Sequence, residues 1–289
     1  MIYHLDSPNN NFVYPIGTNL PIVFSGWLLP EENEIEYLEF CVNEKHLIRR
    51  PLNRDRFDIK ETFQTQTEKE QTNGFKHYLN LTKSCVLGAN TISVSVVFVD
   101  GSKFCMNPIF FEAKAQNELV TFEDKFKCLP ADHLLKVNGF LDIESYQTIG
   151  NEIACGIQRE LNKYRPFKNI LDYGCGLGRV LYHLKKLFVD SAIFGYDIDH
   201  ELIKWTNFIF QSECLEFKTS LESYKPGTFD CIYSVSVLTH IYENRDSVLR
   251  SINNLLKDDG IFFVTYHDKT LFNEIYRKKT KIRKVLTNL

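Results

Sequence analysis

The stretch Ile170 to Leu181, ILDYGCGLGRVL, decides the fold of its half of the chain. An apolar run suited to a β-strand meets glycines at alternate positions, Gly174, Gly176 and Gly178, before a helical pattern opens. A turn this tight needs backbone angles and close approaches that a Cβ obstructs, so a ligand can press against the main chain there. After the next helical pattern, FGYDID places Asp197 at the end of a second strand. In a nucleotide-binding βαβ unit an acid at that place accepts hydrogen bonds from two ribose hydroxyls, so the expected ligand carries a nucleoside.

The glycine spacing says which nucleoside. A dinucleotide fingerprint, G-x-G-x-x-G, uses its third glycine for close helix packing and its helix N-terminus for a pyrophosphate. Depending on where the count starts, that third place falls on Leu177 or Arg179, neither of them glycine, and the spacing after Asp172 is G-x-G-x-G. It resembles motif I of the class I S-adenosylmethionine-dependent methyltransferases. Further features follow in the family's order: Asp197, the strand FDCIYSVSVLTH (Phe229 to His240), and LKDDGIFFVTYH (Leu256 to His267), read as helix, turn and strand. The succession PADHLLKVNGF, Tyr146 and Gly150, LDYGCGLGRVL, DIDHELIKW and SVSVLTHIYEN resembles more narrowly the subgroup associated with bacterial surface-polysaccharide biosynthesis, over roughly Leu129 to His267. Gly26-Trp27, RFDI at Arg56 to Ile59 and Gly74-Phe75 are similar to sandwich domains found beside glycosyltransferases and methyltransferases in such systems.

The resemblance implies roles. The loop Gly174 to Gly178, with Cys175 inside it, would pack on the methionine moiety of S-adenosyl-L-methionine, and Asp172 would support its amino group. Asp197, followed by Ile198, would hold the ribose, Ser220 and Leu221 would lie near the adenine, and Ser234, Val235 and Ser236 would line the cleft. Tyr146 either closes over the cofactor's carboxylate or is a core tyrosine on an amphipathic helix. His240, just past the fourth strand, is the candidate catalytic base for a hydroxyl acceptor; its alternative is to cap a helix or orient the loop. His267 and Asp268 are further candidates. Enzymes that methylate exocyclic base nitrogens carry a proline-containing tetrad where this chain reads SVSV, and no carboxylate cluster suits a magnesium-dependent catechol methyltransferase, so no metal is expected. A sugar or glycan hydroxyl, or a sugar acid, is then the expected acceptor.

Composition sets outer limits. With 289 residues, 44% hydrophobic and 25% charged, the chain suits two soluble domains with a core each. No apolar run reaches membrane-span length, and the start MIYHLDSPNN lacks the basic-then-apolar pattern of a secretory signal, so the cytoplasm is the expected location. The eight cysteines form no C-x-x-C pair and read as small buried hydrophobes in a reducing compartment. A net charge of −3 argues against nonspecific nucleic-acid binding.

Periodicity divides the chain. Up to Ala113 the segments are short and alternating (PIVFSGWLL, EYLEFCVNE, GFKHYLNLT, TISVSVVFV), and Asp100-Gly101 signals a hairpin. The expectation is an all-β sandwich over residues 1–113, a linker over 114–142, and an α/β Rossmann-like methyltransferase domain over 143–289, with helices on both faces of a parallel sheet. Asn53 to Asn73 reads as a long surface loop. After the fifth strand only LFNEIYRKKTKIRKVLTNL remains, so the sheet is expected to lack the family's last two strands. Leu271, Ile275, Ile282 and Leu286 fall near one helical face, and Arg277 to Lys284 is basic. That tail is either a solvated helix end or a peripheral contact with anionic lipid or an acidic glycan. Three functions follow: an O-methyltransferase acting on a glycan; an inactive cofactor-binding scaffold among glycosyltransferases or other polysaccharide-assembly proteins; and a nicotinamide-dependent oxidoreductase, which the glycine spacing disfavours.

Overall fold

The structure is a computed structural model. It describes residues 1–30, 33–56, 59, 73–139, 142–164, 166–211, 215–241 and 243–265. The chain separates into two compact units, Met1–Gly139 and Phe140–Leu289.

The first unit is rich in strands: β1 (Ile2–Ser7), β2 (Phe12–Ile16), β3 (Ile22–Leu29), β4 (Ile35–Val42), β5 (Lys45–Arg50), β6 (Gly74–Leu79), β7 (Gly88–Phe98), β8 (Lys103–Cys105) and β9 (Ile109–Ala115). One sheet runs β1-β3-β6, and the other β2-β9-β7-β4-β5 with β8 beside β7. Pairing is antiparallel except between β2 and β9. The period of two explains why these segments are strands. Leu38, Phe40 and Val42 of β4, with Ile92, Val94 and Val96 of β7, put alternate side chains into one buried cluster, and Phe24 and Leu28 of β3 with Phe75 and Leu79 of β6 enter the same cluster from the other sheet. Phe24 and Phe40 meet edge to face with centroids 5.3 Å apart. Burying each such side chain is worth about 1.5–3 kcal/mol, which is the main term holding the two sheets to a common core. Asp100-Gly101 makes the turn between β7 and β8. Gly101 has φ +82°, and the Asp100 carboxylate accepts from the Ser102 N–H at 2.8 Å.

Segment 114–142, expected as a linker, carries the end of β9, a 3-10 turn at Gln116–Glu118, and helices α1 (Phe122–Phe126) and α2 (Ala131–Asn138). Thr121 caps α1 by accepting from the Asp124 N–H at 3.1 Å, and α2 stops at Gly139 in the left-handed region. The division between the units follows that glycine. Most of the surface loop expected at Asn53 to Asn73 lies outside the described residues.

The second unit alternates helices and strands: α3 (Ile143–Leu161), β10 (Asn169–Tyr173), α4 (Arg179–Leu187), β11 (Ala192–Tyr196), α5 (His200–Ile209), β12 (Glu216–Lys218), β13 (Phe229–Ser234), α6 (Arg245–Leu255) and β14 (Leu256–Val264). The sheet is parallel in the order β12-β11-β10-β13-β14. β10 and β13 are central strands with nearly every residue buried, and the edge strand β14 is buried from Gly260 to Val264. On one face Leu249, Ile252 and Leu255 of α6 pack in a cluster with Leu171, Ile232, Phe262 and Val264. Strand order reverses between β10 and β13, and ligands of such sheets bind outside the carboxyl ends at this switch point.

Two strand boundaries differ from the sequence reading. β13 ends at Ser234 rather than running to His240, because Ser236 takes φ +58° and the chain then enters a 3-10 turn at Leu238–His240. The turn expected inside LKDDG is not preceded by helix there. α6 ends at Leu255 and strand pairing begins at once, Leu256 with Phe229 and Ile261 with Cys231, so the residues between them bulge out of the ladder. Lys257 anchors that bulge by donating from Nζ to the buried Asp230 carboxylate at 2.9 Å. Described residues end just after β14, so the missing last strands, the basic tail, His267 and Asp268 lie outside them. No described helix is long and apolar enough to cross a membrane.

Candidate functional site

The glycine loop turns at the carboxyl end of β10. Gly174 has φ +85°, and a Cβ on it would be driven into the Val237 side chain. Gly178 opens α4 with φ +73°, and a Cβ there would lie 2.6 Å from Phe210 Cε2. Conformation and space both require glycine at these two places. Neighbours then fix the loop from several sides. The N–H groups of Gly174 and Cys175 donate to the Tyr196 carbonyl at the end of β11, at 2.7 and 2.9 Å, and Gly178 N–H donates to Cys175 O at 2.8 Å. Thr206 of α5 brings its hydroxyl to 3.0 Å from Gly176 O. Tyr146 of α3, wholly buried, donates its hydroxyl to Leu177 O at 2.6 Å.

Two acids flank the loop. Asp197 follows β11; its Oδ2 accepts from Gly176 N–H at 2.8 Å and its Oδ1 from Asp199 N–H at 2.9 Å. Asp172, in β10, is 3% exposed and accepts a 2.7 Å hydrogen bond from the Tyr233 hydroxyl of β13. Burial pushes the Asp172 carboxyl up to about 7; the Tyr233 bond opposes that rise, the charge of Asp197 adds to it, and Arg179 opposes it. A carboxyl raised above its unfolded value of about 3.9 stabilises the unliganded fold at low pH, and that contribution is lost as pH climbs toward about 7.

This donor set has a chemical preference. The N–H groups of Gly174, Cys175, Gly176 and Gly178 already donate inside the protein, so they offer little to a pyrophosphate. Two carboxylates beside the loop favour a ligand that carries positive charge. Among the described residues no group of three His, Cys, Asp or Glu is placed to hold a metal ion.

Asp172, the loop, Asp197, Ile198 and the segment Ser234 to Ser236 all follow or end β10, β11 and β13 at the carboxyl edge of the sheet. Ile198 is 78% exposed, an aliphatic side chain left open beside Asp197. Ser220 caps the turn Leu221–Ser223, accepting from Glu222 N–H at 3.3 Å, and Leu221 is half-buried. Three of these residues have buried side chains. Tyr146 lies beneath the loop as a core tyrosine, with its hydroxyl on Leu177 O. Ser234 is wholly buried and donates to Tyr173 O at 3.0 Å, stitching β13 to β10. The Cys175 thiol is buried, and burial pushes its pKa well up. Val235 and Ser236 remain half-buried, and Ser236 N–H donates to Thr265 Oγ1 at 2.8 Å. His240 ends the turn after β13 with its side chain exposed.

The sequence reading passed over Tyr233, Thr206, Val237 and Phe210. A signal existed for Tyr233, since a tyrosine within a strand buried on both faces must find a buried partner for its hydroxyl.

The parallel sheet, its reversal between β10 and β13, and an acid-flanked glycine loop at that point are the arrangement of a nucleotide-binding α/β domain. Residues 146–285 match the family model described as "Methyltransferase domain". Among curated proteins, the chain is 26% identical over 178 residues to norajmaline N-methyltransferase of Rauvolfia serpentina, covering 56% of this chain and 60% of that protein. It is 23% identical over 291 residues to phosphoethanolamine N-methyltransferase 3 of Arabidopsis thaliana, covering 90% of this chain and 56% of that one. Among solved structures, PKMT2 from Rickettsia typhi in complex with AdoHcy is 27% identical over 34% of this chain and 20% of its own, with a TM-score of 0.31. The chain thus spans 60% or less of the length of these curated relatives.

Proposed function

We propose that this chain transfers a methyl group from S-adenosyl-L-methionine to a sugar or glycan hydroxyl in polysaccharide biosynthesis. The observation that carries the cofactor reading is the acid-flanked loop whose N–H groups are already engaged within the protein. When bound, the cofactor supplies an activated methyl on a sulfonium sulfur. Gly174 to Gly178 would pack on its methionine part, Asp172 would face its ammonium group, Asp197 would accept from the ribose hydroxyls, and Ile198, Ser220 and Leu221 would border the adenine. The protein's remaining task is to align the acceptor and exclude water. The N-terminal unit is read as a β-sandwich accompanying the transferase, and glycosyltransferases or other assembly proteins as its partners.

Calorimetry and thermal melting test the cofactor reading. S-adenosylmethionine and S-adenosylhomocysteine should both bind while NAD does not, and either adenosyl compound at a hundred times its Kd should add about 2.7 kcal/mol of stability. No heat and no melting shift with either compound would sink the proposal.

A second acceptor reading, a small amine, is favoured by the N-methyltransferase names of the two curated relatives. His240 separates the two. A hydroxyl must lose its proton to a positioned base, worth about 10²–10⁴ in rate, whereas an amine presented unprotonated needs none. His240→Ala should lower kcat about a hundredfold or more on a sugar substrate with cofactor affinity unchanged. Turnover within a few-fold of the parent would favour the amine.

A further inference from the structure

The carboxyl of Asp172 is the most deeply buried ionisable group among those assigned to the cofactor, and its partner is another buried side chain. Asp172 and Tyr233 are register neighbours on the adjacent parallel strands β10 and β13, so backbone pairing fixes the separation of their side chains. The Tyr233 hydroxyl donates to Asp172 Oδ2 at 2.7 Å, and Tyr233 is wholly buried. Burial also keeps that phenol from ionising, so it stays a donor. We propose that Tyr233 is a positioning residue that holds the buried Asp172 carboxyl for the cofactor's ammonium group, and that capture of the cofactor by this pair releases a proton. The inference rests on the cofactor reading above and assigns it a partner and a pH dependence.

The charged and titratable groups around Asp172 come from every element packed there. Asp197 follows β11 and raises the Asp172 pKa, while Arg179 at the start of α4 lowers it. Cys175 in the loop, Tyr146 from α3 and Tyr233 from β13 are all held neutral by burial. Arg179 is thus the one cation among these groups, and its pKa is itself lowered by burial. In the unliganded site, burial holds the Asp172 proton on to about 7. An incoming ammonium favours the ionised carboxylate and drives the proton off to solvent, with no other bond made or broken. Deprotonation leaves the Tyr233 O–H donating to a full negative charge, where a hydrogen bond is strongest. Removing that donor makes the charged form harder to reach, so the pH needed for capture moves upward.

The test is calorimetric binding of S-adenosylhomocysteine to the full chain, from pH 5.5 to 8.5, in buffers of different ionisation enthalpy. The parent should release a substantial fraction of one proton per ligand at pH 6.5 and almost none at pH 8.5, with affinity falling up to about tenfold per pH unit on the acid side. Tyr233→Phe keeps the ring and should bind about tenfold more weakly at pH 7 while regaining affinity by pH 8.5, a change that a loss of packing would not produce. Asp172→Asn, the second variant should Tyr233→Phe misfold, should flatten the pH profile and abolish proton release. Tight binding by the parent without proton release, or a Tyr233→Phe profile that superimposes on the parent's, overturns the inference and leaves the cofactor reading standing. Absence of binding by the parent at every pH overturns both.

Discussion

Gly174→Ala is expected to destabilise the second unit by about 2–5 kcal/mol, and any protein that still folds is expected to have lost cofactor affinity. Two costs combine. A non-glycine residue at φ +85° is strained wherever it sits, and its Cβ would also be forced into Val237, which follows β13 on the far side of the switch point. The strands that the two residues follow are fixed by ladder pairing, which limits how far either can retreat. Val237→Ala separates the two costs. It opens the space but leaves the φ strain, so the double variant should recover about 1–2 kcal/mol relative to the sum of the single changes. Chemical denaturation of the four proteins measures this, and strict additivity would mean that Val237 is not what excludes a side chain at this position.

Asp197→Ala is expected to weaken S-adenosylmethionine binding by about a hundredfold or more, since hydrogen bonds to a charged acceptor are worth about 1.5–3 kcal/mol each and the ribose offers two. The structure adds an effect that the sequence does not disclose. Both carboxylate oxygens already hold backbone N–H groups, Gly176 on one side and Asp199 on the other. The acid therefore shapes the loop before any ligand arrives. Its loss should lower stability as well, by about 1–3 kcal/mol after allowing for its partial exposure. Asp197→Asn retains one acceptor oxygen and should fall between the two in both measurements. A folded Asp197→Ala protein with parental affinity would place the acid outside the site.

Local spacing made much of this site legible. ILDYGCGLGRVL names the turn, and FGYDID names the acid, because both signals are complete within a dozen residues of chain. The β-rich first unit was legible for the same reason, through period-two runs such as TISVSVVFV, which becomes β7. What escaped depends on register between distant segments. The Asp172–Tyr233 bond joins residues 61 positions apart, and the hold of Tyr146 on Leu177 spans 31. Without knowing which strands lie side by side, a tyrosine before the first strand is equally a ligand contact and a core residue. Helix α1 escaped for another reason. Five residues capped by Thr121 are too few for a helical period to show.

The bulge after Leu256 has a consequence for how this unit tolerates change. Regular pairing from Ile232–Phe262 to Ser234–Val264 resumes beyond it, and the extra residues protrude where β14 begins, at the opposite end of the sheet from the loop. Chain length gained or lost at that place is absorbed before the ladder realigns at Ile261, and Lys257 on Asp230 anchors the protruding segment. Lengthening or shortening the join between α6 and β14 should therefore transmit no shift to the glycine loop. The start of β14 tolerates a change of chain length that the loop at the other end of the sheet does not.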